Sequence, residues 1–314
     1  MQPDVVICLL APLLAVPIAR ATTRWLHPRT ATMVITVSAV VLAATSCIGL
    51  GILVIGALAR WDIVSESDRI AHRSVLLRQL TIPPVAAVAT LALTAASVAA
   101  IGYGIRRLRS LVRSHRHARS FAGPDRIVVT ASPAADAYAI PGRPARIVVS
   151  RGMITALDAT DFDALLAHEH AHLDHGHHGY VSVVRLAAAA NPFLRPLVPA
   201  VEFAIERWAD EHAAQVTGDR RAVAVAITKA ALATGPRTDP GALPAVRLAM
   251  AAPIASRADG PVPRRVRALL TPTPRSNSFA MAASCALTAI TAWCAAEAAG
   301  DLGQLLALAP GSLT

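Results

Sequence analysis

The sequence predicts a mainly α-helical membrane protein, in which four transmembrane helices carry an inserted domain of mixed α and β structure. The first observation is that hydrophobic residues make up 54% of the 314 residues, with a mean hydropathy of +0.48, which is too apolar for an ordinary soluble protein. The second is one long central stretch that lacks such runs and is large enough to bury a core of its own. We therefore expect a hydrophilic domain held at a membrane.

Four apolar runs are candidates for the membrane helices, because a helix needs about 20 residues to cross about 30 Å of hydrocarbon. The first run is short and contains two prolines, and its length also suits a cleavable signal peptide. We favour a retained span, because no basic residue precedes this run and three arginines follow it. The predicted spans cover residues 5–19, 31–59, 83–105 and 278–299.

The arginines predict the orientation, because cytoplasmic loops carry an excess of Lys and Arg. Six arginines follow the third span between residues 106 and 119, so we expect this side to be cytoplasmic. Residues 61–82 then form an external loop, residues 300–314 form a short tail, and both termini lie outside a plasma (inner) membrane. The net charge of +10 follows from this topology, and we expect no direct binding of nucleic acid.

Residues 106–277 are predicted to form the cytoplasmic domain. Three short apolar segments, at 126–130, 137–140 and 146–150, are separated by Pro and Gly and are typical of strands joined by turns. After Asp158 the pattern becomes helical. The four cysteines of the chain lie inside apolar runs without the spacing of metal ligands, so we interpret them as small buried residues.

The centre of this domain is the segment His168-Glu-His-Ala-His172. On a helix, His168 and His172 lie one turn apart and face the same way, so their imidazoles can bind one zinc ion. Glu169 points too far round the helix to share this metal well. It can instead take a proton from a zinc-activated water molecule and act as a general base. The segment therefore predicts a zinc-dependent hydrolase of peptide bonds.

A third ligand is expected on a later helix, because catalytic zinc commonly has three protein ligands and an open fourth position. We choose Glu206, because Asp210 lies one turn after it on the same face. There the Asp210 carboxylate can accept a hydrogen bond from a ligand imidazole and fix its tautomer. Glu202, one turn before Glu206, is the alternative ligand.

Other features of the domain leave more than one interpretation open. The segment Tyr138–Ile140 is either an edge strand that pairs with an extended peptide substrate or an ordinary core strand. Tyr180, Arg207 and His212 are all candidates for an oxyanion donor or a substrate contact. We expect the cluster after the motif to mark the end of the helix, with a second metal site as the alternative: His175, His177 and His178.

The apolar stretch from Tyr180 to Ile205 resembles a fifth span, but its arginines and prolines oppose a crossing helix. A single crossing would also carry Glu206 to the opposite side of the membrane from His168. We therefore predict a helical hairpin that turns at Asn191-Pro192 and lies on the domain or in the membrane interface.

These residues resemble the membrane-embedded zinc metallopeptidases of the gluzincin type, and most closely the BlaR/MecR antirepressor peptidase family. The resemblance extends from about Ala137 to Leu270. It implies a zincin-like metalloprotease domain that binds one Zn²⁺ through His168, His172 and Glu206, with Glu169 as general base and Asp210 in support. The matching segments are Leu165-Leu-Ala-His-Glu-His-Ala-His-Leu173, Glu206-Arg-Trp-Ala-Asp210 and Pro263-Arg-Arg-Val-Arg-Ala-Leu-Leu270.

The resemblance also implies a role, because such proteins cleave themselves or a cytoplasmic repressor after an external signal. We thus expect an integral membrane zinc endopeptidase whose partners are a peptide or protein substrate, such as a transcriptional repressor, and membrane lipid. Only residues 301–314 follow the last span, so we expect no penicillin-binding sensor domain. The alternatives are a quality-control peptidase similar to the HtpX and CAAX-processing group, or a non-catalytic membrane scaffold. The intact Glu169 argues against a scaffold.

Overall fold

The computed structural model of the protein describes residues 3–66, 83–121, 123–234, 260–271 and 278–307. Four apolar helical segments within these ranges are long enough to cross a membrane, as the sequence predicts. The first is broken by a short 3₁₀ turn after Leu10, where Pro12 follows. The membrane helices are α1 (Pro3–Leu10) and α2 (Ala15–Trp25), which together form the first segment, then α3 (Pro28–Glu66), α4 (Pro83–Ser120) and α11 (Ser278–Ala307).

All four predicted spans continue as helix beyond their predicted ends. The first segment extends to Trp25, and α11 extends to Ala307, so it includes the first residues of the predicted tail. Helix α4 extends past residue 105 to Ser120, so the basic residues after the third span lie on the same helix as the span itself. Helix α3 extends to Glu66 and includes the first residues of the predicted external loop. The remainder of that loop, residues 67–82, lies outside the described residues.

The elements between α4 and α11 form the inserted domain. Its strands lie at the beginning and its helices follow, in the order that the sequence predicts. The elements are β1 (Ile127–Thr130), β2 (Ala137–Ile140), β3 (Arg146–Ser150), α5 (Arg151–Ala156), α6 (Ala159–Asp174), α7 (His177–Ala190), α8 (Leu197–Thr217), α9 (Arg220–Thr234) and α10 (Pro261–Leu270).

The three strands form one mixed sheet with β3 in the centre. Strand β1 is parallel to β3, and β2 is antiparallel to it, with Tyr138 opposite Val148. Every residue of β3 is buried, as expected for a central strand. Among the strands that the structure describes, β2 thus lies at an edge of the sheet, which is the position that the first interpretation of Tyr138–Ile140 requires.

Helix α6 has well-defined ends and packs against the sheet. The side chain of Asp158 caps its first turn by accepting a hydrogen bond from the backbone N–H of Asp161 at 2.9 Å. The helix ends before Gly176, which has the positive φ of +60° that glycine adopts without strain. Leu165 on α6 packs with Ile147 of β3 in one apolar cluster. This packing fixes the helix that carries the metal-binding motif.

Helices α7 and α8 form the predicted hairpin, with the turn at Asn191. Their apolar residues share one buried cluster with α2 and α3, including Leu194, Leu197 and Val201 from the hairpin. At the turn, the side-chain amide of Asn191 donates a hydrogen bond of 3.0 Å to Ser46. Ser46 lies near the middle of the apolar part of α3, so the turn of the hairpin reaches the middle of the membrane helices. The predicted position on the domain or in the membrane interface was therefore wrong for the turn, because its apolar residues pack among α2 and α3.

Candidate metal centre

Helix α6 brings the two motif histidines together as predicted. His168 and His172 are both buried, and their Nε2 atoms lie 3.1 Å apart. Two zinc ligands at about 2.0–2.1 Å from a tetrahedral ion would be about 3.3 Å from each other. The lone pairs of the two imidazoles therefore converge at a spacing that suits one metal ion.

Helix α8 places Glu206 opposite this pair. One carboxylate oxygen lies 3.6 Å from Nε2 of His168, and the other lies 3.7 Å from Nε2 of His172. Ligand atoms of His168, His172 and Glu206 all lie within 4.8 Å of one another, so the three residues can hold a single ion. The structure thus brings together the three predicted ligands, although they are separated by up to 38 residues in sequence.

Asp210 lies behind the first histidine, one turn after Glu206. Its Oδ1 atom is 3.0 Å from Nδ1 of His168, which leaves Nε2 of that ring facing the centre. This is the arrangement by which a carboxylate fixes the tautomer and orientation of a metal-binding imidazole. The position of Asp210 agrees with its predicted supporting role.

Arg265 of α10 is an additional member of the site that the sequence analysis did not assign. Its guanidinium contacts two carboxylates of α8: two nitrogens donate to Asp210 at 2.8 and 2.6 Å, and a third lies 2.9 Å from Oε2 of Glu206. Because Arg265 holds Oε2, the Oε1 atom of Glu206 remains for a metal ion. The only signal in sequence was the basic segment at 264–267, and nothing there distinguishes Arg265 from its neighbours.

His177 is a second residue whose role was missed. Its ring is buried, and its Nδ1 lies 3.0 Å from Nδ1 of His172. When His172 uses Nε2 for a metal, its Nδ1–H can donate to His177, which then holds that ring in place. The ring of His177 also packs against Trp208 at 4.7 Å. From sequence, His177 was assigned to the helix end or, as the alternative, to a second metal site.

The charges of the site fit a divalent cation. Three carboxylates lie in or beside it, those of Glu169, Glu206 and Asp210, and one guanidinium, that of Arg265, offsets one of them. When Glu169 is ionised, two formal negative charges remain in a region largely removed from water. Isolated buried charge is costly, so a divalent ion with borderline affinity for imidazole and carboxylate, such as zinc, suits this donor set.

The pKa values of the three ligands shift in different directions, and only that of His168 is raised by the neighbouring carboxylates. Burial by itself lowers the pKa of His168, but contacts with Asp210 and Glu206 outweigh it and raise the pKa to about 10. Burial lowers the pKa of His172 to about 4. Burial would raise the pKa of Glu206, but Arg265 and the two histidines lower it well below its usual range. In the absence of a cation, the site therefore attracts a proton to His168.

Glu169 lies within the same helix turn as His168 and is almost completely buried, with 2% of its surface exposed. Burial raises its pKa to about 7, against the opposing effect of His168. A carboxyl group with such a pKa can both accept and release a proton near neutral pH. This property fits the predicted general base.

The remaining candidates lie away from this group. Glu202, the alternative ligand, pairs with Arg185 at 2.5 Å. Arg207 donates a hydrogen bond of 3.0 Å to the backbone oxygen of Thr23 on α2. Tyr180 packs near Trp208, and His212 packs against His175. In the part of the chain that the structure describes, none of these three residues makes a hydrogen bond or an ion pair with a predicted ligand. An oxyanion role therefore stays a prediction for each of them.

The second metal site is not seen in the described part of the chain. There, only His168, His172 and Glu206 bring three ligating groups within 4.8 Å. His175 instead stacks on Trp208 with ring centroids 4.8 Å apart, and its other neighbours are histidine rings. This cluster forms a packed aromatic layer beside the metal centre.

Comparison with known proteins gives one match. The model of peptidase family M48 matches residues 105–195, from the end of the third span to the turn of the hairpin. The matched segment includes His168, Glu169 and His172 and ends before Glu206. No curated protein and no solved structure matches the chain. The match supports an M48-type metallopeptidase in a multi-pass membrane protein, whereas the closer resemblance to the BlaR/MecR family receives no support from it.

Proposed function

We propose that the protein is a membrane-bound, zinc-dependent endopeptidase in which Glu169 acts as general base. One observation carries this proposal: the ligand atoms of His168, His172 and Glu206 converge beside a buried glutamate. The family match over the motif agrees with it. A purely structural zinc site would have four protein ligands and would need no neighbouring base.

Each residue of the site has a separate role in the proposed hydrolysis of a peptide bond. Zinc, when bound, lowers the pKa of a water molecule to about 7 and polarises a carbonyl group. Glu169 accepts the proton of the attacking water on its carboxylate and passes it to the departing amine. Asp210 and His177 orient the two imidazoles, and the backbone groups of β2 would pair with an extended substrate.

The first experiment compares three purified variants in detergent. Glu169→Gln is expected to keep zinc and lose at least about 100-fold in peptide hydrolysis, because it removes the base but no ligand. His172→Ala is expected to lose both zinc and activity. Glu202→Gln is the matched control, because this residue pairs with Arg185 and is expected to leave both properties nearly unchanged. Zinc content is measured by atomic emission, and activity by cleavage of a peptide library.

The outcomes separate the alternatives. Full activity in Glu169→Gln would rule out the proposed mechanism. Zinc binding without cleavage of any peptide in the wild-type protein would favour the non-catalytic scaffold instead. Loss of zinc in Glu202→Gln, with zinc retained in Glu206→Gln, would move the third ligand to Glu202.

We also propose that the catalytic domain faces the cytoplasm and cleaves either this chain or a cytoplasmic regulator. The basic residues that follow the third span support this orientation. A reporter enzyme fused near residue 259 is expected to be active only inside the cell, and activity only outside would reverse the topology. Proteomes of cells with wild-type protein and Glu169→Gln are then compared. Accumulation of a DNA-binding repressor in the variant is expected, whereas accumulation of damaged membrane proteins alone would favour a quality-control peptidase.

A further inference from the structure

A basic cleft lies where α4 leaves the membrane, on the surface of the domain. Its volume is about 860 Å³, which is within the usual range for ligand sites. One wall is the end of α4, and the others are the β2–β3 turn, the end of α6 and the start of α7. The lining residues are Leu111, Val112, His115, Arg116, Arg119, Pro141, Gly142, Arg143, Ala145, Leu173 and His178.

The cleft is positively charged, and no carboxylate among its lining residues balances that charge. Arg116, Arg119 and Arg143 all line the cleft. Among the described residues, no acidic side chain lines the cleft, and no acidic side chain forms an ion pair with these three arginines. Asp174, next to Leu173 in the chain, is already paired with Arg126 at 2.5 Å. Three guanidinium groups around one cavity suit a phosphate-bearing anion, which they can bind in a bidentate way.

The cleft is built by contacts between its walls. The backbone N–H of Arg143 donates to Nδ1 of His115 at 3.2 Å, which ties the β2–β3 turn to α4. At Gly142 a side chain would meet Ala118 at 3.4 Å and the backbone oxygen of Pro144 at 3.3 Å, so the turn lies closely on the helix. Arg143 is therefore held opposite the arginines of α4.

The hairpin gives the depth of the cleft relative to the membrane. Its turn at Asn191 contacts Ser46 near the middle of α3, and His178 lies 13 residues back along α7, or about 20 Å away at 1.5 Å per residue. Half of the hydrocarbon layer measures about 15 Å, so His178 lies at the level of the lipid headgroups. The backbone oxygen of His178 also accepts a hydrogen bond from Arg107, just past the apolar part of α4, at 3.4 Å.

The direction of the side chains agrees with this depth. Side chains of an α-helix point back towards its N-terminus, and the N-terminal part of α4 is the membrane span. Arg116 and Arg119 therefore extend from the helix towards the bilayer. Their partner Arg143 lies across the cleft, and the apolar side chains of Leu111 and Val112 lie on the membrane side.

We propose that this cleft binds the headgroup of an anionic phospholipid from the leaflet that faces the catalytic domain. The lipid phosphate lies among Arg116, Arg119 and Arg143, and its acyl chains follow the exposed apolar surface of α4. The bound lipid thereby holds the β2–β3 turn, and with it the edge strand β2, against the membrane. Basic pockets at the cytoplasmic ends of membrane helices have the chemistry to bind such headgroups.

The test measures which lipids the purified full chain retains. The protein in detergent is incubated with equal amounts of phosphatidylglycerol and phosphatidylcholine, and the retained lipids are counted by native mass spectrometry. The wild-type chain is expected to retain phosphatidylglycerol preferentially. The variant Arg116→Gln/Arg119→Gln/Arg143→Gln is expected to lose this preference, by about fivefold for each arginine removed.

A second triple variant controls for net charge. It removes three exposed arginines outside the cleft: Arg113→Gln, Arg151→Gln and Arg221→Gln. It is expected to keep the preference for phosphatidylglycerol. Equal loss in both variants, or equal retention in both, would overturn the proposal. Unchanged zinc content in both variants shows that the domain remains folded.

Two further measurements, of thermal stability and of peptide binding, begin with the wild-type protein. Phosphatidylglycerol is expected to raise the thermal midpoint more than phosphatidylcholine or inorganic phosphate does. An equal rise with inorganic phosphate would identify a site for a soluble anion and overturn the lipid assignment. Binding of an acidic peptide that requires the three arginines, without any lipid preference, would identify a protein partner instead.

Discussion

The two ends of the α7–α8 hairpin are stabilised by different interactions. The tip, residues 191–197, lies among the membrane helices, where Leu194 and Leu197 are fully buried and Asn191 makes one hydrogen bond to Ser46. The base carries Glu206, Asp210 and His177, which form a dense polar group with residues of α6 and α10. One hairpin therefore combines an apolar anchor with a polar metal centre.

The difference between the two ends explains how one hairpin can both anchor in the membrane helices and carry residues of the metal centre. Within the bilayer there is little hydrophobic gain from packing one helix on another, so shape and a few hydrogen bonds hold the tip. At the base, buried charges must be paired, and each missing partner is costly. We therefore expect changes at the base to have larger effects than changes at the tip.

The largest effect is expected for Arg265→Ala at the base. The change leaves the carboxylates of Asp210 and Glu206 without their buried cation, so we expect a loss of about 3–5 kcal/mol in the free energy of unfolding. The control is Arg264→Ala on the same helix. The exposed Arg264 has its guanidinium 4.2 Å from the ring centre of Phe203, a contact that contributes about 0.5–1 kcal/mol. Unfolding is followed by circular dichroism in mixed micelles. Equal effects of the two changes would contradict the role of Arg265.

A smaller effect is expected for Asp210→Asn, which keeps the shape of the side chain and removes its charge. Because Asp210 orients His168, we expect zinc affinity to fall by about 10- to 100-fold. Affinity is measured by competition with a chromogenic chelator. Asp163→Asn, on the exposed side of α6, serves as the control and is expected to change nothing. Unchanged affinity in Asp210→Asn would show that Arg265 alone organises the base.

The smallest effect is expected at the tip, for the pair formed by Asn191 and Ser46. Asn191 also accepts a hydrogen bond from the backbone of Phe193, so a double-mutant cycle with Asn191→Ala and Ser46→Ala is needed to isolate the contact. We expect a coupling energy of about 0.6 kcal/mol, as is usual between membrane helices. A coupling energy larger than the free energy of unfolding lost in Arg265→Ala would show that the tip, and not the base, is the more sensitive end of the hairpin.

Much of the fold follows from local patterns in the sequence. The membrane helices are predicted because hydrocarbon requires long apolar runs. Helix α6 is predicted to begin after Asp158, where the helical pattern starts, and to end at the histidine cluster that follows the motif. The hairpin was predicted from a geometric requirement, since His168 and Glu206 have to lie on the same side of the membrane. Apart from the hairpin, these features depend on composition and short spacing alone.

The predicted ligands also depend on short spacing. His168 and His172 are one helix turn apart, and so are Glu206 and Asp210, so each pair shares a face whatever the tertiary structure. The choice of Glu206 over Glu202 was an inference from Asp210, and the structure places Glu202 against Arg185 instead. Arg265 and His177 were missed because their contacts join separate helices.

The sequence by itself determined which segments can cross a membrane, which helix carries the metal-binding motif and which residue types can serve the chemistry. These properties depend on hydrophobicity and helical periodicity, which act over a few residues. Only the tertiary structure decided that Arg265 pairs with Asp210 and Glu206, that His177 supports His172, and that Arg143 faces Arg116 across a basic cleft. Such contacts arise from the docking of distant elements, and no local pattern specifies that docking.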